Sequence, residues 1–431
     1  MKMSRKFCKV LCVLLSLVMI CALVAGCDTE QPDDTQGNGS GAVTLVIWCQ
    51  ATNQAEYLQW VKHEFESKYE GIELKIEPQA STVLGDTLEV TLSSDDAPDI
   101  VATWGGHVAG KLYKGGQIIE LSDVITPDVE ATLIAAVEPN KADGNGKYVG
   151  LPIGGFASPV IYYNKTAFDK LGISAPTTYE ELKNVAQVIR SDSKQPLIAG
   201  FSTWHLPHFM QAIHARTMTP ENFNQLVGMP TDSNPYELPG YKEGFDLLKQ
   251  YNDDKIFADN ITGYDANMAQ MEFIAQNALM LVSPSLDLAT LVDACDFEMG
   301  AFLLPAGSVD GPLASGVFSD IFAINAKSEH IEECKKFFEF LLSPEAQAKQ
   351  LEYEMMPIVE GTDTGYASAI MSGVLASISE DGMSGFYQSY SVAGIDLQLV
   401  EVGTSLLAGK IDSARAAEVI AQYYKSNVLD K

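Results

Sequence analysis

Residues 43–76 read VTLVIWCQATNQAEYLQWVKHEFESKYEGIELKI, and this stretch decides the fold class. Its first six residues, 43–48, are β-branched or apolar without a break, which is typical of a buried strand. Apolar side chains then recur at helical spacing over residues 54–69, and residues 72–76 form a second strand-like run. A strand, a helix and a strand in this order predict a βαβ unit and therefore a parallel sheet.

The same alternation continues along the chain. Residues 84–93 are helix-like, residues 99–102 are strand-like, and helices are predicted over 179–191, 329–342 and 414–425. The chain has 431 residues, and 405 remain without the first 26, which are interpreted below as a signal peptide. A chain of this length is too long for one ordinary core. We therefore expect an α/β protein with two lobes.

The N-terminus has the organisation of an export signal. Four basic residues precede an uncharged apolar run over residues 10–25. This run has the length of a signal-peptide core and is short for a membrane span. The run leads into VAGC at residues 24–27, which resembles the lipobox of bacterial lipoproteins. This resemblance implies a signal peptide over residues 1–26 and diacylation of Cys27. An ordinary signal peptide followed by a chance cysteine is the alternative.

Residues 27–42 form a polar, acidic and glycine-rich segment that cannot bury enough apolar surface to fold. We expect this segment to be a flexible tether. Two acyl chains on Cys27 would anchor it stably, so the predicted location is the outer face of the cytoplasmic membrane.

Charge excludes several classes of partner. The full chain has 28 Lys and Arg against 57 Asp and Glu, a formal charge of −29. Loss of the leader removes four basic residues and no acidic ones, which leaves 24 against 57 and a charge of −33. Nucleic acids and anionic lipid headgroups need basic surface, so neither is expected as a partner. A neutral or cationic ligand is compatible with this balance.

The cysteines and motifs exclude further classes. Only Cys49, Cys295 and Cys334 follow the predicted anchor, so at most one disulfide can form among them. The chain has no Walker loop, no G-x-S-x-G elbow and no H-E-x-x-H. The DGNGK turn at residues 143–147 does not complete a dinucleotide fingerprint, and it leads into a strand. We expect no cofactor and no catalytic residue.

A series of short motifs, each weak alone, gives the chain its family resemblance. Along the sequence they are VTLVIW (43–48), APDIV (97–101), LYKGGQIIEL (112–121), GKYVGLP (146–152), YYNK (162–165), PTTYEEL (176–182), NALM (277–280), GAFLLP (300–305) and FFEFLLSPE (337–345). With these motifs in this order, the chain resembles the extracellular solute-binding proteins of carbohydrate ABC importers, the group that includes maltose-binding protein.

The resemblance implies a periplasmic-binding-protein-like fold, in which two α/β lobes are joined by three crossings with a ligand cleft between them. The crossings are expected near residues 155–158, 315–320 and 357–364. Lobe 1 would then comprise residues 43–156 and 320–362, and lobe 2 residues 157–319 and 363–431. The implied partners are a carbohydrate ligand and the permease subunits of an importer, and the protein is expected to be a monomer.

Ligands in open α/β sheets bind beyond the carboxyl ends of strands. Polar and aromatic residues at such places, and at the crossings, are the candidate ligand contacts: Gln50, Thr52, Asn53, Trp104, His107, Phe156, Trp204, His205, Ser283, Ser285, Asp287, Phe318 and Asp320. Trp104 and Trp204 are the candidate stacking platforms for a sugar ring, and core packing is the alternative for each. Thr52 and Asn53 are neutral where maltose-binding protein has charged sugar contacts, and Ser285 replaces a tryptophan common in the family, so a different ligand or pose is indicated.

Three rival functions share some of these features. A glycosidase needs two carboxylates across the scissile bond, but no motif singles out a pair among the acidic residues. A metal-uptake protein would use His205 and His208, with His214 nearby, but Pro207 argues against helical geometry for that pair. The same fold could instead bind a polyamine, a peptide or an organic anion, the anion being the least compatible with the charge.

Overall fold

The computed structural model describes residues 42–84, 87–94, 96–134, 137, 146–153, 156–157, 159–228, 232–305, 314–315, 317–318, 320–365, 367–373, 383–384 and 394–430. The predicted signal peptide, Cys27 and all but the last residue of the predicted tether lie outside the described residues.

The strands belong to two main sheets and two short ribbons. In chain order they are β1 (Val43–Gln50), β2 (Ile72–Gln79), β3 (Ile100–Trp104), β4 (Leu151–Pro152), β5 (Phe156–Ala157), β6 (Pro159–Asn164), β7 (Gln195–Ala199), β8 (Ala278–Pro284), β9 (Met299–Phe302), β10 (Ala314–Ser315), β11 (Val317–Phe318), β12 (Asp320–Ile324) and β13 (Met383–Ser384).

The α-helices alternate with these strands. They are α1 (Asn53–Lys68), α2 (Ser81–Leu84), α3 (Leu88–Thr91), α4 (His107–Lys114), α5 (Pro127–Glu130), α6 (Lys165–Leu171), α7 (Tyr179–Ser191), α8 (His205–Thr217), α9 (Pro220–Gly228), α10 (Tyr241–Asp253), α11 (Ala266–Ile274), α12 (Leu288–Ala294), α13 (Ile331–Leu341), α14 (Pro344–Gln350), α15 (Ile395–Leu407) and α16 (Ser413–Tyr424). Short 3₁₀ turns include Ser285–Asp287 and Leu351–Tyr353.

Sheet 1 has the strand order β2-β1-β3-β12-β4. β1 pairs in parallel with β2 and β3, which confirms the βαβ unit predicted from residues 43–76. β1 is longer than the predicted residues 43–48, because its pairing with β2 continues to Gln50, opposite Gln79. Gln50 therefore ends a strand instead of following one. β12 lies between β3 and β4 and is antiparallel to both.

Sheet 2 has the order β7-β8-β6-β9, in which β7 and β8 are parallel and β6 is antiparallel to its two neighbours. All seven residues of β8 are buried, as the central strand of a covered sheet requires. The C-terminal helices α15 and α16 return to this half of the molecule and pack against α8 and α10.

The two sheets are connected by an antiparallel ribbon of β5 and β11, with Phe156 opposite Phe318 and Ala157 opposite Val317. β5 lies between β4 of sheet 1 and β6 of sheet 2, and β11 immediately precedes β12 of sheet 1. A second ribbon pairs β10 with β13. The architecture is the two-sheet α/β fold of periplasmic binding proteins.

Amphipathic helices cover the sheets as their spacing predicts. α1 packs through Tyr57, Leu58, Val61 and Phe65, all of which are buried. α7 spans the predicted residues and begins with a capping box, in which Thr178 accepts from the Glu181 backbone and Glu181 accepts in return. Where a helix is predicted over 84–93, the described residues form two single turns, α2 and α3.

The three cysteines after the tether are free: Cys49 and Cys334 are buried and Cys295 is partly buried. Burial raises the pKa of the Cys49 and Cys334 thiols to about 12, so neither is a reactive thiolate near neutral pH. Within the described ranges, no helix is long and apolar enough to cross a membrane.

Asp99, just before β3, binds β1 and the segment that follows β12. Its Oδ2 accepts from the Val46 backbone N–H at 2.9 Å, and its Oδ1 accepts from Ser328 Oγ at 2.6 Å. Asp99→Ala should lower the free energy of unfolding by about 2 kcal/mol, because a half-buried N–H and hydroxyl lose charged acceptors. Urea denaturation measures the change. Asp96→Ala, which removes the same charge from an exposed position, should change stability by less than about 0.5 kcal/mol.

Candidate functional site

The carboxyl ends of the parallel strands in both sheets lie beside the β5–β11 ribbon. In sheet 1, β12 begins at Asp320, two residues after β11, and Asp320 pairs with Trp104 at the end of β3. In sheet 2, β6 begins at Pro159, two residues after β5, and Pro159 pairs with Pro284 at the end of β8. Two residues span about 7 Å at most. Both sets of strand ends are therefore close to the connection between the sheets, where this fold type binds ligands.

Three candidates from sheet 1 come together at its edge. Gln50 Nε2 donates to Asp320 Oδ2 at 2.6 Å, and Trp104 is the register partner of Asp320. Trp104 is half-buried and packs against the core, so one part of the indole supports the sheet while the rest remains accessible. Asp320 is only 8% exposed. A carboxylate, an amide and an aromatic ring in this arrangement can bind hydroxyl groups and an apolar ring face.

Two other sheet 1 candidates have structural roles. Thr52 is the N-cap of α1, where its hydroxyl accepts from the Gln54 backbone N–H. Asn53 begins the helix and donates through Nδ2 to the Tyr353 carbonyl at 2.7 Å. Thr52 Oγ1 and Asn53 Nδ2 are thus already used, in capping α1 and in binding its start to the Leu351–Tyr353 turn. His107 begins α4, after a Gly106 with φ of +64°.

The sheet 2 candidates centre on Asp287. Asp287 Oδ2 accepts from Ser283 Oγ and, at 2.9 Å, from Gln270 Nε2 of α11. Ser283 is fully buried on β8 and Ser285 is 4% exposed, so Ser283 positions the carboxylate instead of reaching a ligand itself. The turn that contains Asp287 contacts β5 of the ribbon.

Burial raises the pKa of Asp287 from 3.8 to about 6, and the two hydrogen bonds to Oδ2 offset this only in part. Tyr162, fully buried on the neighbouring strand, is close enough for the charges of Asp287 and Glu354 to act on its phenol. Burial is the larger cause that holds the pKa of Tyr162 well above its usual range. The phenol oxygen has no hydrogen-bond partner in the described structure.

The second tryptophan candidate is accompanied by two histidines. Trp204 precedes α8 and is 41% exposed, and its ring meets those of His205 and His208 edge-on, with centroids 4.3 and 4.9 Å apart. Both histidines lie within α8 although Pro207 separates them, because proline is tolerated in the first turn of a helix. The expectation that Pro207 would prevent helical geometry was wrong.

The two histidines that contact Trp204 are buried and uncharged near neutral pH. Burial lowers the pKa of His205 to about 4 and that of His208 to about 3. His205 is 1% exposed, and neither of its ring nitrogens has a hydrogen-bond partner within the described structure. No group of three or more His, Cys, Asp or Glu side chains suited to a metal ion occurs among the described residues.

Sequence reasoning missed Gln270 and Glu354. Gln270 is on α11, far from any strand end in sequence, and only the packing of α11 against β8 brings it to Asp287. Glu354 follows the Leu351–Tyr353 turn with φ of +54°, and Ser368 Oγ donates to its Oε2 at 2.9 Å. Burial raises the pKa of Glu354. The only sequence signal was its position near the third predicted crossing.

A family model for bacterial extracellular solute-binding proteins matches residues 50–348, well over half of the chain. The chain belongs to this family. Its matched span begins at Gln50 and covers the strand-end residues of both sheets, up to and beyond Asp320.

Two relatives share similar lengths of sequence with this chain. The multiple sugar-binding protein of Streptococcus mutans is 24% identical over 346 residues, covering 78% of this chain and 79% of that protein. The melibiose/raffinose/stachyose-binding protein MelE of Bacillus subtilis is 22% identical over 347 residues, covering 78% of each.

Solved structures show the same fold over nearly the whole chain. A chitin oligosaccharide binding protein superposes with a TM-score of 0.75 at 20% identity, covering 90% of this chain and 99% of that one. RafE in complex with raffinose gives a TM-score of 0.69 at 18% identity, covering 89% and 99%.

The raised pKa of Asp287 predicts a pH-dependent stability. The Asp287 carboxyl has a higher pKa in the folded protein than its value of 3.8 in the unfolded chain. Below about pH 4 it is protonated in both states and has no effect on stability. As the pH rises through about 6, its ionisation destabilises the folded state. Asp287→Asn should therefore raise stability at pH 7 by about 1 kcal/mol, since partial exposure reduces the full effect. The gain should vanish at pH 4.

Thermal unfolding of both proteins at pH 4 and pH 7 measures this difference. Asp293→Asn, an exposed residue on the adjacent α12, is the matched control and should leave the melting temperature unchanged at both values. A variant that is less stable than the parent at pH 7 would contradict the assignment of Asp287 as a destabilising carboxylate.

Proposed function

We infer that this chain captures a carbohydrate outside the cell and delivers it to the permease subunits of an ABC importer. The observation that carries the proposal is the placement of Trp104, Gln50 and Asp320 on one side of the β5–β11 ribbon and of Asp287 on the other. An aromatic face with hydroxyl-binding carboxylates and amides suits a sugar. Sugar binding by the multiple sugar-binding protein and by MelE supports the same conclusion.

The proposed mechanism is closure of two lobes around the ligand. The lobes have the bounds predicted above, residues 43–156 with 320–362 and residues 157–319 with 363–431, and the β5–β11 ribbon forms two of the three crossings. A ligand that touches both lobes stabilises the closed state by its differential affinity for that state. The permease would then recognise the closed form of a monomer.

The membrane attachment is part of the proposal. Cys27 becomes the diacylated N-terminus after cleavage, and residues 27–42 hold the folded body at the outer face of the cytoplasmic membrane. The support is chemical: small residues precede Cys27, and a charged, glycine-rich segment follows it.

A thermal-shift screen tests the binding function. Raffinose, stachyose, melibiose, chitin oligosaccharides and other sugars are added singly, and at least one should raise the melting temperature, since a ligand at 100 times its Kd stabilises the native state by about 2.7 kcal/mol. Trp104→Ala and Trp204→Ala should each weaken that sugar about tenfold or more in calorimetry. Loss of a stacking face is the reason.

Trp60→Ala is the control, because Trp60 lies on α1 against Phe340 and Lys349 and should matter only to stability. If both test variants retain full affinity, the two tryptophans are not the platforms. If no carbohydrate shifts the melting temperature, the proposed function itself is wrong.

Cys27→Ser tests the anchor. The full-length precursor, expressed in a bacterium with labelled palmitate, should incorporate label into the parent and not into the variant, because only the thiol sulfur can carry the diacylglycerol. Cys49→Ser is the matched control and should remain labelled, since Cys49 is buried in sheet 1. Label retained in Cys27→Ser would contradict the lipoprotein assignment.

A further inference from the structure

Two carboxylates flank the ribbon that connects the sheets. Asp320 begins β12 two residues after β11, and the turn holding Asp287 contacts β5. The strand-end segments around them, residues 49–53, 104–107, 200–204 and 283–287, contain no Lys or Arg. Two acidic residues thus lie at strand ends next to the connection.

Asp287 is held in a defined orientation. Ser283 Oγ and Gln270 Nε2 both donate to Oδ2, and these donors come from β8 and α11. In the described structure no donor binds the second oxygen, Oδ1, and the Asp287 side chain is only partly buried. One carboxylate oxygen is therefore used for positioning, and the other is free to accept a hydrogen bond.

This arrangement is costly for folding. A mostly buried carboxylate without a cationic partner is stabilised only by hydrogen bonds from neutral groups. The shift in the pKa of Asp287 to about 6 reflects that cost. A neutral Asn could accept the same two hydrogen bonds through its amide oxygen without that cost, so the presence of a charge here is better explained by ligand recognition than by stability.

We propose that Asp287 is a specificity-determining residue of the ligand site, that its Oδ1 accepts a hydrogen bond from a ligand hydroxyl, and that its charge restricts the ligand to uncharged sugars. Uronic acids and sulfated or phosphorylated sugars would place a further negative charge near the Asp287 carboxylate in a partly desolvated site, where like charges repel strongly. This inference rests on the proposed function.

The test uses matched neutral and anionic oligosaccharides on the mature protein. The neutral set contains raffinose, stachyose, xylo-oligosaccharides and chitin oligosaccharides; the anionic set contains oligogalacturonates, glucuronic-acid-substituted xylo-oligosaccharides and sulfated chitin oligosaccharides. We expect every sugar that raises the melting temperature to be neutral. The carboxylated or sulfated analogue of the best sugar should bind at least 100-fold more weakly.

Substitutions then assign the selectivity to Asp287. Asp287→Asn should weaken binding of the best neutral sugar about tenfold. It should also reduce the ratio of affinities for the neutral and anionic analogues about tenfold, a change that a merely structural residue would not cause. We call this ratio the neutral–anionic affinity gap. Ser283→Ala, which keeps the charge but loses one orienting donor, should weaken binding less and leave the gap unchanged. Asp293→Asn, exposed on α12, should change neither.

The outcomes separate the two proposals. An anionic sugar as the best ligand, or an unchanged gap in a folded Asp287→Asn protein, overturns the inference and leaves sugar capture standing. Should Asp287→Asn fail to fold, the Ser283→Ala result decides, because unaltered affinity there shows that the orientation of Asp287 is irrelevant to binding. If no sugar binds at all, the proposed function fails, and the inference fails with it.

Discussion

The structure depends on the antiparallel insertion of β12 between β3 and β4. This strand returns from the second half of the chain and completes the first sheet, so the two halves cannot fold as independent consecutive domains. The same insertion forces β11 to pair with β5 at the connection. As a consequence, Asp320 is placed beside Trp104 and Gln50, residues that precede it by more than 200 positions.

The site differs between its two sides in how polar groups are used. On sheet 1, Gln50 and Asp320 bond directly to each other, while Thr52 and Asn53 stabilise the start of α1. On sheet 2, buried neutral groups orient a single carboxylate. Burial of this carboxylate raises its pKa, and the two neutral donors offset the effect only in part. The buried, neutral His205 behind Trp204 is another polar group that packing alone does not explain.

Family membership and fold do not by themselves identify the ligand. The relatives and structures with known ligands are about one-fifth to one-quarter identical to this chain, and their names include several different sugars. At such distances the scaffold is retained while the strand-end residues vary, because loops tolerate substitution better than paired strands do. Ligand identity therefore has to be argued from the side chains at the strand ends of this chain.

The sequence by itself determined the α/β class, the first βαβ unit and the capped helix α7, because hydrophobic period and capping residues are local signals. It also singled out Trp104, Trp204, Asp287 and Asp320 as candidates. Only the tertiary structure decided that Asp320 meets Gln50, that Gln270 and Ser283 orient Asp287, and that Thr52 and Asn53 are occupied with α1. These outcomes depend on strand order and helix packing between segments distant in sequence, which no local pattern encodes.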